Sequence, residues 1–126
     1  MTTEYPKSGY EFNIEASPDY ALARIKVPSN QVLKVEASAM ATMTPNMQMK
    51  TRMKGGLSRL MTKESLFINE FTAQEASGEV SVAPGPPGDI FHYYVQEDPI
   101  YLTGSSYLAS TPEVLLETKF QGLMKG

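Results

Sequence analysis

Residues 39–56 read A-M-A-T-M-T-P-N-M-Q-M-K-T-R-M-K-G-G, and a related pattern returns near the end of the chain. The Thr-Pro pair at 44–45 returns at 111–112, and Gly55 returns as Gly122 at the same offset. A repeated pattern indicates that the same structural unit occurs twice in the chain. It is therefore considered first, because it determines the architecture. We therefore predict one β domain over residues 1–126, with a first repeat at about 20–83 and a partial second repeat at about 88–126.

Side chains within residues 47–54 alternate in character. Methionine holds most of the odd positions, whereas Lys50, Arg52 and Lys54 hold even ones. Because successive side chains of a strand point to opposite sides, this spacing predicts a strand with one apolar and one basic face. Similar alternation predicts strands around 12–14, 20–27, 31–36, 66–72 and 79–83. Short strands separated by Gly and Pro are typical of an all-β fold, here a duplicated antiparallel β-sandwich.

The second copy is shorter than the first. Its offset places residues 90–95, 100–103 and 114–120 over strand segments of the first copy, so we expect strands there too. The last two strands of the first copy have no counterpart before Gly126. Their absence would leave sheet edges unpaired, and an unpaired edge can bind another chain. Either the chain is a shortened version, or a partner completes its edges, and we predict a homo-oligomer.

The composition of the chain excludes several classes of function. A formal net charge of −3 argues against sequence-specific nucleic-acid binding, because such affinity rests on neutralising phosphates. The sequence has no cysteine, which excludes disulfides, thiolate metal sites and a cysteine nucleophile. No apolar run approaches the ~20 residues that a membrane span needs, and the first residues lack the apolar region of a signal peptide. A cytoplasmic protein is expected.

His92 is the single histidine, so any histidine-based triad or metal site would have to be built on it. Its repeat counterpart is Ile25, a position typical of a core strand, and we interpret His92 as a partly buried structural residue. The sequence has no H-E-x-x-H and no G-x-S-x-G, and Gly55-Gly56 lacks the Lys-Ser/Thr of a phosphate-binding loop. We expect no catalytic residue, no metal, no cofactor and no small-molecule substrate.

Methionines cluster between residues 40 and 53, and soft thioether groups of this kind can bind Cu(I). The repeat favours another interpretation, because Val114, Leu116 and Phe120 stand at the positions of three of them and carry no sulfur. We interpret the cluster as core filling by flexible side chains. Its members are Met40, Met43, Met47, Met49 and Met53.

Five of the eleven Lys and Arg residues fall between residues 50 and 63, in a span that contains no acid. A solvated strand face is the ordinary interpretation of such a run. The alternative is an anion-binding surface for a lipid headgroup or RNA, which would also allow peripheral membrane association. The candidate anion-binding residues are Lys50, Arg52, Lys54, Arg59 and Lys63.

Several ordered segments together carry a family resemblance. They are V-E-A-S-A-M-A-T-M-T-P-N-M-Q-M-K-T-R, G-G-L, E-S-L-F-I-N-E-F-T-A, G-E-V-S-V-A-P and P-G-D-I, followed by L-A-S-T and E-T-K-F-Q-G-L. The series resembles the altered-inheritance-of-mitochondria twenty-four family from about Tyr20 onward. Lys63 stands where family members usually have Gly, and members continue past the position of Gly126, so this chain looks like an N-terminal portion or a shortened member.

The resemblance implies a sandwich similar to the tryptophan-attenuator-protein-like fold, often assembled as trimers, and carries no catalytic residue set. Eukaryotic members are linked to organisation of the mitochondrial inner membrane. We therefore predict a non-catalytic scaffolding module that acts through oligomerisation, with a trimer favoured. Anion binding through residues 50–54 is the alternative, and an enzyme using His92 is the least favoured hypothesis.

Overall fold

The computed structural model describes residues 2–4, 9–54, 66–103 and 106–117. In these ranges the chain forms nine strands. They are β1 (Thr2–Glu4), β2 (Glu11–Glu15), β3 (Leu22–Val27), β4 (Val32–Glu36), β5 (Met40–Met43), β6 (Met47–Lys54), β7 (Leu66–Ala73), β8 (Gly78–Val82) and β9 (Ala109–Ser110).

The strands form two antiparallel sheets. The first has five strands in the order β1-β2-β3-β8-β5, and the second has four in the order β6-β7-β4-β9. Buried side chains from both sheets make one apolar cluster. The predicted all-β sandwich is therefore confirmed.

Alternation decides which side chains reach that cluster. Leu33 and Val35 of β4 are buried, as are Val80 and Val82 of β8, while Lys34, between the first two, is partly exposed. Phe71 is fully buried on β7, opposite Leu33 on one side. The strands predicted from alternation in the first repeat are confirmed, with bounds that shift by one or two residues.

One side of the sandwich carries the edge strands β5 and β6, because residues 44–46 connect them directly. The Asn46 side-chain amide donates to the carbonyl oxygens of Gln74, Ala76 and Ser77 at 3.3, 3.0 and 3.3 Å. Thr44 joins the same corner, since its backbone N–H donates to the carbonyl of Glu79 at 2.9 Å. Asn46 thus ties the β5–β6 connection to the β7–β8 turn.

The opposite side carries β2, β4 and β9. The Tyr10 hydroxyl, just before β2, donates to the carbonyl of Val32 at the start of β4. After β8 the chain returns to this side, because the Ala21 N–H donates to the Gly88 carbonyl at 2.9 Å and Ile90 packs against the core. Leu108 and Ala109 also pack there.

The predicted strands of the second repeat are not formed in residues 90–103 and 114–117. The physical reason is that a strand needs a neighbour for its backbone groups, and this segment passes over the side of the sandwich without pairing along any described strand. Within the described ranges, β9 is the only strand after β8. The strands β1 and β5 were not predicted from the sequence.

Candidate functional site

The basic face consists of the exposed side chains on the outer side of β6. Lys50 and Arg52 lie there on alternate residues, as the spacing predicts. The backbone of Lys54 ends β6, but its side chain, together with Arg59 and Lys63, lies outside the described residues. Two of the five predicted anion-binding residues are therefore brought together.

Glu70 stands within this basic face. It is the register partner of Lys50 on β7, and its Oε1 lies 2.9 Å from Nε of Arg52. The pair is worth little energy, because the Arg52 side chain is 48% exposed and that of Glu70 is 25% exposed. Glu70 does reduce the positive charge that a ligand would meet.

Sequence reasoning missed Glu70 because it counted acids along the chain and not across the sheet. Two alternating strands, residues 47–54 and 66–73, could have been aligned antiparallel in the sequence, which would have placed an acid among the bases. An open depression runs along this part of the sheet, lined by Gln48, Met49, Lys50, Arg52, Glu70 and Thr72.

The methionines divide between core and surface. Met47 is buried and Met40 packs against the core, as predicted, but Met43 and Met49 are exposed. Core filling is thus wrong for these two, because β5 and β6 are edge strands and no described strand covers their outer side. Met43 on β5 is 43% exposed and Met49 on β6 is 48% exposed, and we term these two side chains the apolar rim.

The aromatic segment, defined as residues 91–102, lies on the opposite side of the sandwich. It exposes Phe91 by 86%, Tyr93 by 58% and Tyr101 by 78%. The strands predicted at 90–95 and 100–103 would have placed these side chains in a sheet, which is wrong because the segment forms no strand.

His92 was expected in a core-type strand position, and the structure corrects this. Its side chain is exposed, and its ring centroid lies 4.7 Å from that of Phe12 with the planes tilted by 31°. Partial desolvation at this contact lowers the pKa of His92, which favours the neutral imidazole. Within the described ranges no group of three or more His, Asp and Glu side chains is arranged to hold a metal ion.

The hydroxyl groups of Tyr10, which is buried, and of Tyr107, which is half-buried, hold the β2–β4–β9 side together. Burial raises the pKa of Tyr10 to about 12, with a further contribution from the charge of Glu113. Burial likewise raises the pKa of Tyr107 to about 12, and its hydroxyl donates to the Lys34 carbonyl at 3.2 Å. Both groups are structural, since each stays protonated and hydrogen-bonded to a backbone carbonyl.

No helix that is long and apolar enough to cross a membrane occurs in the part of the chain that the structure describes.

Comparison with known proteins identifies the family of the chain. No curated protein and no solved structure matches significantly. A family model described as "Mitochondrial biogenesis AIM24" matches residues 12–126, which includes both copies of the repeated pattern and most of the chain. The resemblance drawn from the ordered motifs is confirmed, and the chain belongs to the AIM24 family.

Proposed function

We propose that the chain is a non-catalytic structural module that works by associating with further copies of itself. The observation that carries the proposal is its exposed apolar surface. Of the large apolar side chains exposed in the described residues, seven fall between residues 91 and 115. Single exposed apolar residues need no explanation, but a concentration of them marks interaction surfaces. The seven are Phe91, Tyr93, Tyr94, Ile100, Tyr101, Leu102 and Leu115.

The sheet edges support the same proposal. Within the described ranges, β5 and β6 are each hydrogen-bonded to a neighbour on one side only. The edge of β6 is eight residues long, whereas natural proteins commonly keep such edges short. A long edge beside exposed Met49 offers both backbone groups and apolar area to another chain.

Light scattering coupled to gel filtration tests the proposal. We expect a discrete closed oligomer, with a trimer favoured. Phe91→Ser should weaken assembly, whereas Tyr20→Ser should not, because Tyr20 is a matched aromatic that is 73% exposed in the turn before β3. A strictly monomeric wild-type chain at all concentrations would contradict the proposal.

A cytoplasmic location belongs to this proposal and is tested separately. Cell fractionation with an antibody against the chain should place it with cytoplasmic markers. Enrichment in an organelle fraction would contradict the location and leave self-association to be judged by light scattering.

A second candidate function is anion binding at the basic face. The observation in its favour is the open depression in which Lys50 and Arg52 stand beside the polar groups of Gln48 and Thr72. The bound group would be a phosphate, from either a lipid headgroup or RNA. Because Glu70 partly neutralises Arg52, we expect weak binding that salt suppresses.

Vesicles containing phosphatidylserine and a short single-stranded RNA are the two probes for this candidate. Binding should be lost in the Lys50→Glu/Arg52→Glu variant and retained in Lys26→Glu, which changes an exposed charge on the other sheet. Binding that survives the double change, or that is independent of salt, would exclude the basic face.

A further inference from the structure

We infer that Met43 and Met49, the two side chains of the apolar rim, are reversible oxidation sites through which a peroxide weakens self-association. This regulation rests on the proposed self-association and adds a chemical signal that controls it. Three features carry it: the absence of cysteine from the sequence, the unequal exposure of the methionines and the position of the apolar rim at the margin of the core.

The sequence leaves methionine as the main target of a mild two-electron oxidant, because it contains no cysteine and no tryptophan. The methionine sulfur takes one oxygen atom from hydrogen peroxide. The O–O bond breaks, an S–O bond forms and water leaves, so the sulfur loses two electrons and the peroxide gains them. An enzyme that carries a reducing dithiol reverses the step: it removes the oxygen as water and becomes a disulfide.

The four methionines between residues 40 and 49 differ in their access to solvent. Met43 is 43% exposed and Met49 is 48% exposed, whereas Met47 is 6% exposed and Met40 packs against the core. The sulfur of Met47 also lies against Gly78 in the corner between β5 and β6. Because oxidation requires contact between the peroxide and the sulfur, the fold makes the two methionines of the apolar rim react first.

The apolar rim lies at the margin of the core. Met49 is the register partner of Phe71 on β7, and Met43 is the register partner of Val80 on β8. Both partners are fully buried, and residues opposite one another on adjacent strands lie on the same side of a sheet. The two methionines therefore continue the apolar surface of the core outward, one from each sheet, to a place that another copy can contact.

Oxidation of the apolar rim opposes association more than it opposes folding. In a single copy, an exposed sulfoxide oxygen keeps its hydrogen bonds to water. A contact between copies that covers the apolar rim removes this water, and a polar group buried without a partner costs free energy. The unoxidised side chain has no such cost, and its flexibility lets it fit an apolar surface. We expect oxidation to lower the association constant by at least roughly tenfold.

Mass spectrometry tests which of the four methionines react. Trypsin leaves all four in one peptide, residues 35–50, and the fragment ions of this peptide locate each added oxygen. When hydrogen peroxide is titrated into the folded protein, we expect Met43 and Met49 to gain oxygen before the other two. In urea, which unfolds the chain, the four should react at similar rates. Similar rates in the folded protein would overturn the inference.

Light scattering coupled to gel filtration compares assembly before and after the peroxide dose that oxidises the apolar rim. The wild-type oligomer should dissociate, and treatment with methionine sulfoxide reductases and dithiothreitol should restore it. In the Met43→Leu/Met49→Leu variant the apolar rim cannot be oxidised, so its assembly, whatever its own strength, should be the same with and without peroxide. Met47→Leu is the matched control and should respond to peroxide as the wild type does.

The outcomes separate this regulation from the proposed function. An oligomer whose assembly is unchanged when both methionines of the apolar rim carry oxygen overturns the regulation and leaves self-association standing. Loss of assembly in Met43→Leu/Met49→Leu on peroxide treatment would place the sensitive group elsewhere, which also overturns it. A wild-type chain that is monomeric before any treatment overturns the proposed function and its regulation together.

Discussion

Tyr10 and Tyr107 show how single hydroxyl groups hold this sandwich together. Each ring lies on the β2–β4–β9 side, and each hydroxyl donates to a backbone carbonyl of β4, at Val32 and Lys34. A buried carbonyl left without a donor costs free energy, so these bonds favour one placement of the segments that flank β4. Their sequence separation from β4 makes them tertiary contacts that connect distant parts of the chain.

Replacing Tyr10 by Phe should lower the free energy of unfolding by about 1 kcal/mol, because the Val32 carbonyl loses its donor while the buried ring is kept. Urea denaturation measures the change. Tyr20→Phe is the control, since its side chain is 73% exposed, and its effect should stay within about 0.5 kcal/mol. Equal effects in the two variants would show that the Tyr10 hydroxyl contributes nothing specific.

Stability should fall between pH 10 and pH 12, because burial raises the pKa of both tyrosines from 10.0 to about 12. Above pH 10 the unfolded chain releases protons that the folded chain still holds, so rising pH favours unfolding. Each tyrosine contributes a loss of up to about 1.4 kcal/mol per pH unit in this window.

Urea denaturation at a series of pH values measures this slope. The Tyr10→Phe/Tyr107→Phe variant is less stable at neutral pH, but its stability should depend less on pH above pH 10. An unchanged slope in the double variant would mean that other groups titrate in this range.

At the scale of the elements, the corner between β5 and β6 is closely packed around Gly78, the first residue of β8. A β-carbon built there would contact the Met47 sulfur, and would lie 2.8 Å from the Thr44 hydroxyl and 3.0 Å from the Asn46 side-chain oxygen. The Thr44 hydroxyl already donates to that Asn46 oxygen at 2.8 Å. The flexible methionine can move, but the hydrogen-bonded pair cannot move freely.

Gly78→Ala should therefore destabilise the fold by roughly 1–3 kcal/mol, the usual cost of overpacking. Gly85→Ala is the matched control, because its β-carbon would meet nothing nearer than the Ser38 hydroxyl at 4.0 Å. That change should be neutral or stabilise by up to about 1 kcal/mol, since it reduces the freedom of the unfolded chain. Thermal unfolding of the two variants compares them, and a stable Gly78→Ala protein would show that the corner can relax.

The strands β4 and β8 could be predicted from the sequence because one face of each is buried. Residues 32–36 and 78–82 alternate because their inner side chains enter the core, and the pattern records that difference. The strand β5 was missed because three of its four residues are exposed, and β9 because it is two residues long. Residues 90–95 were predicted to be a strand but form none. Strand propensity measures how well side chains fit a pleated surface, and it does not supply a neighbouring strand to pair with.

The candidate site was predictable only where it depends on one strand. The spacing of Lys50 and Arg52 placed them on one face correctly. Glu70 entered that face through strand pairing, which brings together residues that are distant in the chain. The side chain of Met49 is exposed because β6 is an edge strand of its sheet. The repeat in the sequence does not reveal the order of strands in a sheet, so this exposure could not be predicted.

At the scale of the whole molecule, apolar side chains are exposed on two sides of the sandwich. The apolar rim lies along β5 and β6, and the aromatic segment lies by β2. A symmetric dimer uses the same surface patch on both copies, so it would cover one of these two surfaces. Two separate apolar surfaces suit an assembly in which each copy contacts two neighbours.

Self-association makes thermal stability depend on concentration, because the assembled chain is favoured by mass action. We expect the Tm of the wild-type protein to rise over a hundredfold increase in chain concentration, and the Tm of Phe91→Ser to rise less. Differential scanning fluorimetry measures both series. A Tm that is the same at every concentration would contradict association in the folded state.

The position of β8 determines when the first sheet can be completed during synthesis. β8 lies between β3 and β5, so Ala23 pairs with Val82 and Met43 pairs with Val80. A ribosome releases β3 and β5 well before β8, and until then neither strand has the neighbour that joins them. Contacts between distant residues also form slowly, because a long loop must close first. The nascent chain therefore exposes two incomplete strand edges until residue 82 has emerged, and this interval is when a chaperone would be of most use to it.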